Sequence, residues 1–484
     1  MVVLGTHSVP VDSITSRSER RTDHSESKND RGIIMTDTPR FTVPHISRRF
    51  LLQSSAIALG TAALPSGLLA QGKTVVTHSN WRSTEMPDIF LKVFDDYRKA
   101  NPDVDLQVEE IGFIEYIKKM ELSGQAGALP DTFELWVPTQ LARFVEEGWI
   151  APLDELIDAD KAAGNDILGA YEPWADKGYK GSTYVLPSLG LTNVLLWNRT
   201  AFKAAGLPDR APETIDEMLE FAKKLSKPPE MYGLGLDGNG PELWLALAWM
   251  FYANETRIGR VGGDFQINKP KAVETVQFIV DLVNKHGVVP SFTTTDFEKL
   301  RSSFAAGRVA MMPDWNGVPA VIEGLKPTFE WAISPLPKGK TTGAMLMGGD
   351  STYAISANSK NKKAAWEFIK VLAGHDTQQA IADKWPFLIT RKEIWDEVQK
   401  GTLGTSDSLK VALEQSQRPN AYDTYSEMPP QLLQAVDIFR TELHGVVANQ
   451  QTAQEGMDKV AAQWADLYQQ WDESYGELGD RYTR

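Results

Sequence analysis

The sequence of 484 residues contains no cysteine. This absence excludes disulfide bonds, thiolate metal ligands, cysteine nucleophiles and a lipid anchor attached to a cysteine. The HExxH motif of zinc proteases and the GxSxG elbow of serine hydrolases are also absent. We therefore expect no metal site and no cofactor. A chain of this length can be stabilised by its hydrophobic cores without disulfide bonds.

Basic residues are too few to balance the acidic ones. The formal net charge is −14 at pH 7. The first 70 residues hold eight basic and six acidic side chains, so the rest of the chain carries −16. This excess argues against nucleic acid and anionic membranes as partners. The hydrophobic content of 42% is ordinary for a globular protein, and the length predicts two or more domains.

A long uncharged stretch lies near the N-terminus, from Phe50 to Ala70, directly after the Ser-Arg-Arg of residues 47–49. A basic start, an apolar middle and a small residue at the end are typical of a signal peptide. The Ser-Arg-Arg order resembles a twin-arginine signal, which exports folded proteins. The alternative is a transmembrane anchor, but the Ser, Gln, Gly and Pro residues make the stretch too polar for a stable span. We therefore predict that residues 1–70 are a leader and that the remaining chain is periplasmic.

Strand and helix patterns alternate after residue 72. Apolar residues at every second position predict strands, and apolar residues three and four apart predict helices. The resulting β-α-β-α-β-α order predicts a parallel sheet with helices on its faces. The predicted strands are 73–79, 105–111 and 131–136, and the predicted helices are 86–100, 114–126 and 139–147.

Helices dominate the later part of the chain. Two short apolar runs, 182–187 and 192–198, predict two strands separated by four residues. The run 309–312 predicts a buried strand that stops at Pro313 and leaves Trp315 beyond its end. Further strands are predicted around 329–335 and over 351–356, helices over 213–225, 242–254, 270–286, 296–306, 361–373 and 376–384, and an almost entirely helical tail over 405–474.

Six local motifs follow one another along the chain. The most specific is "GSTYVLPSLGLTNVLLWNRTAFKAAGLPDRAPETIDEMLEFAKKL" (181–225), in which Trp197 and Arg199 stand where a related pattern has tyrosine and lysine. The other five are "FDDYRKANPDVDLQVEEIG" (94–112), "SGQAGALPDTFELW" (123–136), "FVEEGWIAPLDELI" (144–157), "FAAGRVAMMPDWNG" (304–317) and "GGDSTYAISANSKNKKAAWEFIKVLAG" (348–374). Each motif is weak alone, but their order resembles the family 1 extracellular solute-binding proteins of ABC importers, the family that includes maltose-binding protein.

The resemblance implies an α/β fold of two lobes, each a mostly parallel sheet flanked by helices, with a ligand cleft between them. Hinge strands would join the lobes near 187–192 and 347–352. The implied protein is not an enzyme: it is a monomer that captures a carbohydrate and delivers it to the permease of an ABC transporter. The implied division of the chain is a leader at 1–70, an N-terminal lobe of 71–189 plus 353–396, and a C-terminal lobe of 190–352 plus 397–484.

Polar and aromatic residues at the predicted strand ends are candidate ligand contacts, because ligands of open α/β sheets bind beyond the carboxyl ends of the strands. A sugar has an apolar C–H face that stacks on an aromatic ring, and hydroxyls that pair with planar polar groups. A glycine pair would also let the backbone approach the ligand closely. Tyr422 and Tyr425 lie on the loop before helix 427–447, where the resembling family often brings an aromatic residue to the cleft, so the resemblance makes both candidates. The candidate contacts are Trp81, Arg82, Trp136, Glu242, Trp244, Asp314, Trp315, Gly348, Gly349, Asp350 and Tyr422.

Each candidate also has an ordinary structural alternative. The tryptophans could pack in a core, Asp314 and Asp350 could cap the next element, and Arg82 could form a surface ion pair. An Arg82 that faces the cleft would instead make a negatively charged sugar plausible. Two alternative functions remain open: an exported glycosidase or lyase, which needs a pair of carboxylates, and a binding protein for a polyol or a glycerol phosphodiester.

Overall fold

The computed structural model describes residues 72–175, 178–241 and 243–477. The predicted leader and Glu242 lie outside the described residues. The strands are β1 (Thr74–Asn80), β2 (Val104–Glu110), β3 (Thr132–Leu135), β4 (Gly178–Tyr179), β5 (Ser182–Thr183), β6 (Val185–Asn198), β7 (Arg260–Val261), β8 (Asp264–Phe265), β9 (Met311–Trp315), β10 (Trp331–Ser334), β11 (Gly343–Ile355), β12 (Leu388–Ile389) and β13 (Asn420–Tyr422).

The helices account for most of the remaining chain. They are α1 (Arg82–Glu85), α2 (Pro87–Ala100), α3 (Phe113–Gln125), α4 (Val137–Glu146), α5 (Asp154–Ala162), α6 (Arg199–Ala204), α7 (Ile215–Leu225), α8 (Trp244–Ala253), α9 (Pro270–Asn284), α10 (Phe297–Ala305), α11 (Val318–Gly324), α12 (Lys362–Leu372), α13 (His375–Lys384), α14 (Lys392–Lys400), α15 (Ser406–Ser416), α16 (Leu432–Val447) and α17 (Ala453–Tyr475). No helix of the described residues combines the length and hydropathy that a membrane span requires.

The first lobe is built on the parallel sheet that the sequence predicts. Strand β1 pairs in parallel with β2 on one side and with β3 on the other. Helices connect these strands, as a parallel connection requires. Their carboxyl ends therefore meet at one edge, where Trp81 and Trp136 follow β1 and β3 directly.

Two long antiparallel strands, β6 and β11, pass from one lobe to the other. The first half of β6 and the second half of β11 extend the sheet of β3. The second half of β6 pairs with β9 and β10, and the first half of β11 pairs with β13. The ladder between β6 and β11 shifts register between Met347 and Ser351. Both predicted hinge crossings fall on these strands, while the predicted lobe boundaries stay predictions.

Three predictions about these strands were wrong. The runs 182–187 and 192–198 are not two strands, because β6 is continuous: all its residues are buried, with neighbours paired along both edges. Strand β9 does not stop at Pro313. That proline pairs opposite Leu195 of β6, and no β-ladder of the described residues occupies the other edge of β9 there, so a residue without an N–H is tolerated. The sheet around β6 is also antiparallel rather than mostly parallel.

Candidate functional site

A cavity of about 150 Å³ lies where the hinge strands meet the strand ends of both lobes. Leu191 of β6 and Met347 of β11 contribute apolar side chains to its wall. The remaining lining residues are Trp81, Arg82, Glu85, Phe113, Trp136, Leu245, Arg301, Trp315, Asp350, Phe387 and Tyr425.

The turn after β1 places Trp81 and Arg82 at the cavity. Glu134 of β3 accepts hydrogen bonds from the backbone N–H groups of Trp81 at 3.2 Å and Arg82 at 3.1 Å. The Trp81 ring packs against Tyr116 and Phe113 of α3, with centroid distances of 5.0 and 5.5 Å. A buried carboxylate and two neighbouring rings thus fix this turn.

Arg82 is buried and interacts with three carboxylates from three different elements. It pairs with Glu85 of its own helix at 2.5 Å, with Glu134 at 3.8 Å, and with Asp350 of β11. Burial raises the pKa of Glu134 to about 8 and that of Asp350 to about 6, and the nearby Arg82 charge opposes both increases. Because Asp350 belongs to a hinge strand, this cluster ties the hinge to the first lobe.

The second lobe contributes a simpler ion pair. Asp296 caps helix α10 by accepting from the N–H of Lys299, and the helix carries Arg301 to the cavity. Arg301 donates to both carboxylate oxygens of Asp314, each at 2.8 Å. Asp314 also accepts the N–H of Trp315 at 2.8 Å. This bidentate pair therefore anchors the residue that precedes the half-buried Trp315 ring.

The Trp315 ring is held over the backbone of Gly317. A Cβ atom at residue 317 would lie 1.8 Å from the nearest ring carbon, so only glycine allows this ring position. On its other side the ring packs against Phe387 with a centroid distance of 4.9 Å. The short sequence after β9 is thus specific for one orientation of Trp315.

Aromatic rings follow one another around the cavity in an unbroken series of contacts, which we call the aromatic belt. Successive ring centroids are 4.9 to 6.1 Å apart, and the Arg82 guanidinium fills one step, 5.7 Å from the Trp81 ring and 4.6 Å from the Phe387 ring. In order, the belt consists of Tyr425, Trp136, Phe113, Trp81, Arg82, Phe387 and Trp315.

The structure brings five of the eleven candidate contacts to this cavity. Those five are Trp81, Arg82, Trp136, Trp315 and Asp350. Tyr425, the further candidate on the late loop, also lines the cavity. Contact of these residues with a ligand stays a prediction.

Other candidates lie away from the cavity wall. Trp244 is fully buried in α8 and stacks on Phe439 at 4.3 Å, so it serves the core. Tyr422 lies beneath Arg257, whose guanidinium is 3.8 Å from the ring centre. Asp314 stands behind the wall as the partner of Arg301.

The glycine pair is also outside the lining residues. A Cβ on Gly349 would lie 2.4 Å from the Cβ of Val137, so this glycine allows β11 to pack closely against α4. Gly348 is buried beside it. Gly349 is therefore explained by close packing of β11 on α4 and not by approach of the backbone to a ligand. The remaining candidate, Glu242, lies outside the described residues.

Several lining residues were not among the candidates. Phe113 comes three residues after the end of β2, directly after Gly112. The expectation that ligands bind at strand ends could therefore have identified it. Arg301 sits inside a helix and Phe387 between a helix and a two-residue strand, where no local pattern distinguishes them from packing residues. Glu85, Leu191, Leu245 and Met347 are the others.

Known proteins support the same fold. The family model of bacterial extracellular solute-binding proteins matches residues 81–379. The maltotriose-binding protein of Pyrococcus abyssi is 28% identical over 308 residues, which cover 62% of this chain and 62% of that protein. The match thus spans less than two thirds of that relative's length.

Two solved structures match the backbone of this chain with the same TM-score. A solute-binding protein of Thermotoga lettingae bound with α-D-tagatose has a TM-score of 0.70 at 23% identity, covering 82% of this chain and 100% of the other. UgpB of Mycobacterium tuberculosis, solved with glycerophosphocholine, has a TM-score of 0.70 at 18% identity, covering 83% and 100%. They confirm the predicted two-lobe fold. Since the family model matches more than half of the sequence, the chain belongs to the family of bacterial extracellular solute-binding proteins.

Proposed function

We propose that this protein is the substrate-binding component of an ABC importer and that it captures a neutral carbohydrate in the cavity. The observation that carries the proposal is a cavity walled by aromatic rings whose charged neighbours are already paired. Aromatic rings stack on the C–H face of a sugar, and the edges of the Arg82, Glu85 and Asp350 side chains can pair with hydroxyls.

The charge balance of the wall favours a neutral ligand over an anionic one. The two guanidinium groups, Arg82 and Arg301, face four carboxylates in their ion pairs. Even with Glu134 protonated, the carboxylates of Glu85, Asp314 and Asp350 outnumber them. A phosphate or carboxylate ligand would have to compete with the buried ion pairs of Arg82, and breaking such pairs costs about 3–5 kcal/mol.

The hinge strands supply the motion that such a protein needs. We propose that the lobes close about β6 and β11 when the ligand binds, and that the closed form delivers it to the membrane permease. The predicted twin-arginine leader would place the protein in the periplasm, where a monomer would meet its permease. No nucleic acid is expected as a partner of so acidic a chain.

A thermal-shift screen of the purified protein tests this proposal. The panel contains monosaccharides, polyols, di- and trisaccharides, glycerol 3-phosphate and glycerophosphocholine. We expect a neutral sugar or polyol to raise the melting temperature with the logarithm of its concentration. A shift with the phosphate compounds alone would establish the glycerol phosphodiester alternative, and release of cleaved sugar would establish the enzyme alternative.

Two variants separate ligand binding from general stability. Trp315→Ala removes a ring of the cavity wall, and we expect a smaller ligand-induced shift. Phe329→Ala is the matched control. Phe329 packs against Phe304 with a centroid distance of 5.7 Å, comparable to the 4.9 Å between Trp315 and Phe387, but it does not line the cavity. Equal loss of the ligand-induced shift in both variants would contradict the proposed site.

A further inference from the structure

The size of the cavity and the ring contacts of the aromatic belt between the lobes restrict what the site can hold. We infer that the site admits one sugar ring or a compact polyol and excludes oligosaccharides, with Phe387 and Tyr425 as the residues that block a second sugar unit. This inference rests on the proposed function, because it specifies the carbohydrate that the same cavity binds.

The volume is that of one six-membered ring. The cavity measures about 150 Å³. An engineered protein cavity of this size, about 150 Å³, holds a single benzene molecule. Pockets for larger organic ligands span about 300–1,000 Å³. A second pyranose unit would therefore have to extend beyond the space that these residues line.

The belt is closed at both places where it passes between the lobes. Trp136 of the first lobe meets Tyr425, which follows β13, with centroids 6.1 Å apart. Trp315 of the second lobe meets Phe387, which precedes β12, with centroids 4.9 Å apart. A sugar stacked between two rings needs two van der Waals contacts of about 3.5–4 Å each, or roughly 7–8 Å between ring planes. With the lobes in this arrangement, both pairs are too close for a sugar chain to pass between them.

Phe387 is held firmly in the blocking position. Its side chain is 1% exposed and lies between the Arg82 guanidinium and the Trp315 ring. The preceding carbonyl, that of Pro386, accepts a hydrogen bond from the Asn316 side chain at 2.5 Å. Asn316 in turn exchanges two hydrogen bonds with Thr192 of β6, both at 2.9 Å. The segment is thus fastened to the second lobe and to the hinge.

Tyr425 is fixed by the turn that contains it. The residue is 3% exposed. Its neighbour Thr424 accepts a hydrogen bond from Tyr252 of α8 at 2.8 Å, and Glu427 at the end of the same turn pairs with Arg257. Displacing this ring would therefore disturb buried polar contacts on both sides of it.

Calorimetric titration of the wild-type protein and of two variants tests the inference. The probes are the monosaccharide with the largest thermal shift and the α- and β-linked disaccharides and trisaccharide of the same unit. We expect the wild type to bind the monosaccharide at least about tenfold more tightly than any of these oligomers. In Phe387→Ala and Tyr425→Ala, the affinity for disaccharide relative to monosaccharide should rise at least about tenfold.

The controls distinguish failure of this inference from failure of the proposed function. Phe329→Ala should leave the affinity ratio unchanged, and Phe387→Leu and Tyr425→Leu replace the alanine variants if those do not fold. A wild type that binds the disaccharide or trisaccharide as tightly as the monosaccharide overturns the inference but leaves the proposed function intact. An unchanged ratio in the variants overturns the role of the two rings. Failure of every saccharide and polyol to bind overturns the proposed function, and the inference with it.

Discussion

Each lobe contributes one arginine to its own wall of the same cavity, but the two walls hold their arginine in different ways. Arg82 shares three carboxylates that come from α1, β3 and the hinge strand β11. Arg301 has a bidentate partner in Asp314, only 13 residues along the chain. The first wall is therefore a network that joins distant segments, whereas the second is a local pair that orients one loop. We expect substitutions in the Arg82 network to lower the stability of the whole fold. Substitutions at the Arg301–Asp314 pair should mainly change the structure close to the ligand.

The largest expected effect comes from removing each arginine charge. Arg82→Met leaves the Asp350 carboxylate buried without its counter-charge, so we expect a loss of about 3–5 kcal/mol in the free energy of unfolding. Arg301→Met should cost less, about 1–3 kcal/mol, because Asp314 keeps the hydrogen bond from Trp315. Urea denaturation measures both values, and Arg199→Met, which removes a surface ion pair with Asp209, serves as the control. Equal losses for Arg82→Met and Arg301→Met would contradict the distinction between the walls.

The second prediction concerns the pH dependence of stability, to which Glu134 in the wall of the first lobe should contribute. Burial raises the pKa of Glu134 from 4.5 to about 8. Between these pH values the native state holds more protons than the unfolded state, so stability contributed by this group falls as the pH rises, by at most about 1.4 kcal/mol per pH unit. Glu134→Gln should remove that slope between pH 5 and pH 8.

Melting temperatures of wild type and variant over this pH range measure the difference. Contributions from the other titrating groups, such as the buried His78, largely cancel in the comparison. Glu298→Gln on the exposed face of α10 is the control and should follow the wild-type curve. A Glu134→Gln curve parallel to that of the wild type would show that this carboxylate titrates normally.

The smallest expected effect comes from displacing the Trp315 ring in the wall of the second lobe. Gly317→Ala must displace the Trp315 ring, because the new Cβ would overlap it. We expect the affinity for the monosaccharide to fall about 2- to 12-fold, the equivalent of one aromatic contact of about 0.5–1.5 kcal/mol, with little change in stability. Gly324→Ala is the matched control, since nothing lies within 4 Å of the added methyl group.

Tryptophan fluorescence and calorimetric titration follow this change together. Trp315→Ala should reduce the affinity by at least as much as Gly317→Ala. If Trp315→Ala instead unfolds the protein and Gly317→Ala leaves the affinity unchanged, Trp315 is a packing residue of the second lobe.

Local patterns were a good guide to the first lobe and a poorer one to the hinge. The strands β1, β2 and β3 were predicted because each is a short apolar segment between amphipathic helices. The continuity of β6 was missed because Ser188 and Gly190 are typical of a break between strands. Its neighbours β11 and β12 pair across that point and satisfy the backbone.

Strand ends provided the signal for most of the correctly predicted lining residues, while Asp350 was predicted from its place at the hinge and Tyr425 from the family resemblance. Trp81 and Trp136 follow β1 and β3, and both line the cavity. Trp244 had an equally suitable sequence context but is enclosed by core residues of the second lobe. Phe387 had no signal, since its importance comes from Trp315, which lies 72 residues earlier in the chain.

The sequence by itself determined the family, the parallel order of the first strands and the presence of tryptophans at their ends, because these depend on local periodicity and on motifs in order. Only the tertiary structure decided which rings face the cavity, that both arginines are paired with carboxylates, and that the aromatic belt lines a cavity of about 150 Å³. The reason is physical: ion pairs and ring contacts depend on distances between segments far apart in the chain, and β6 and β11 set those distances by crossing between the lobes.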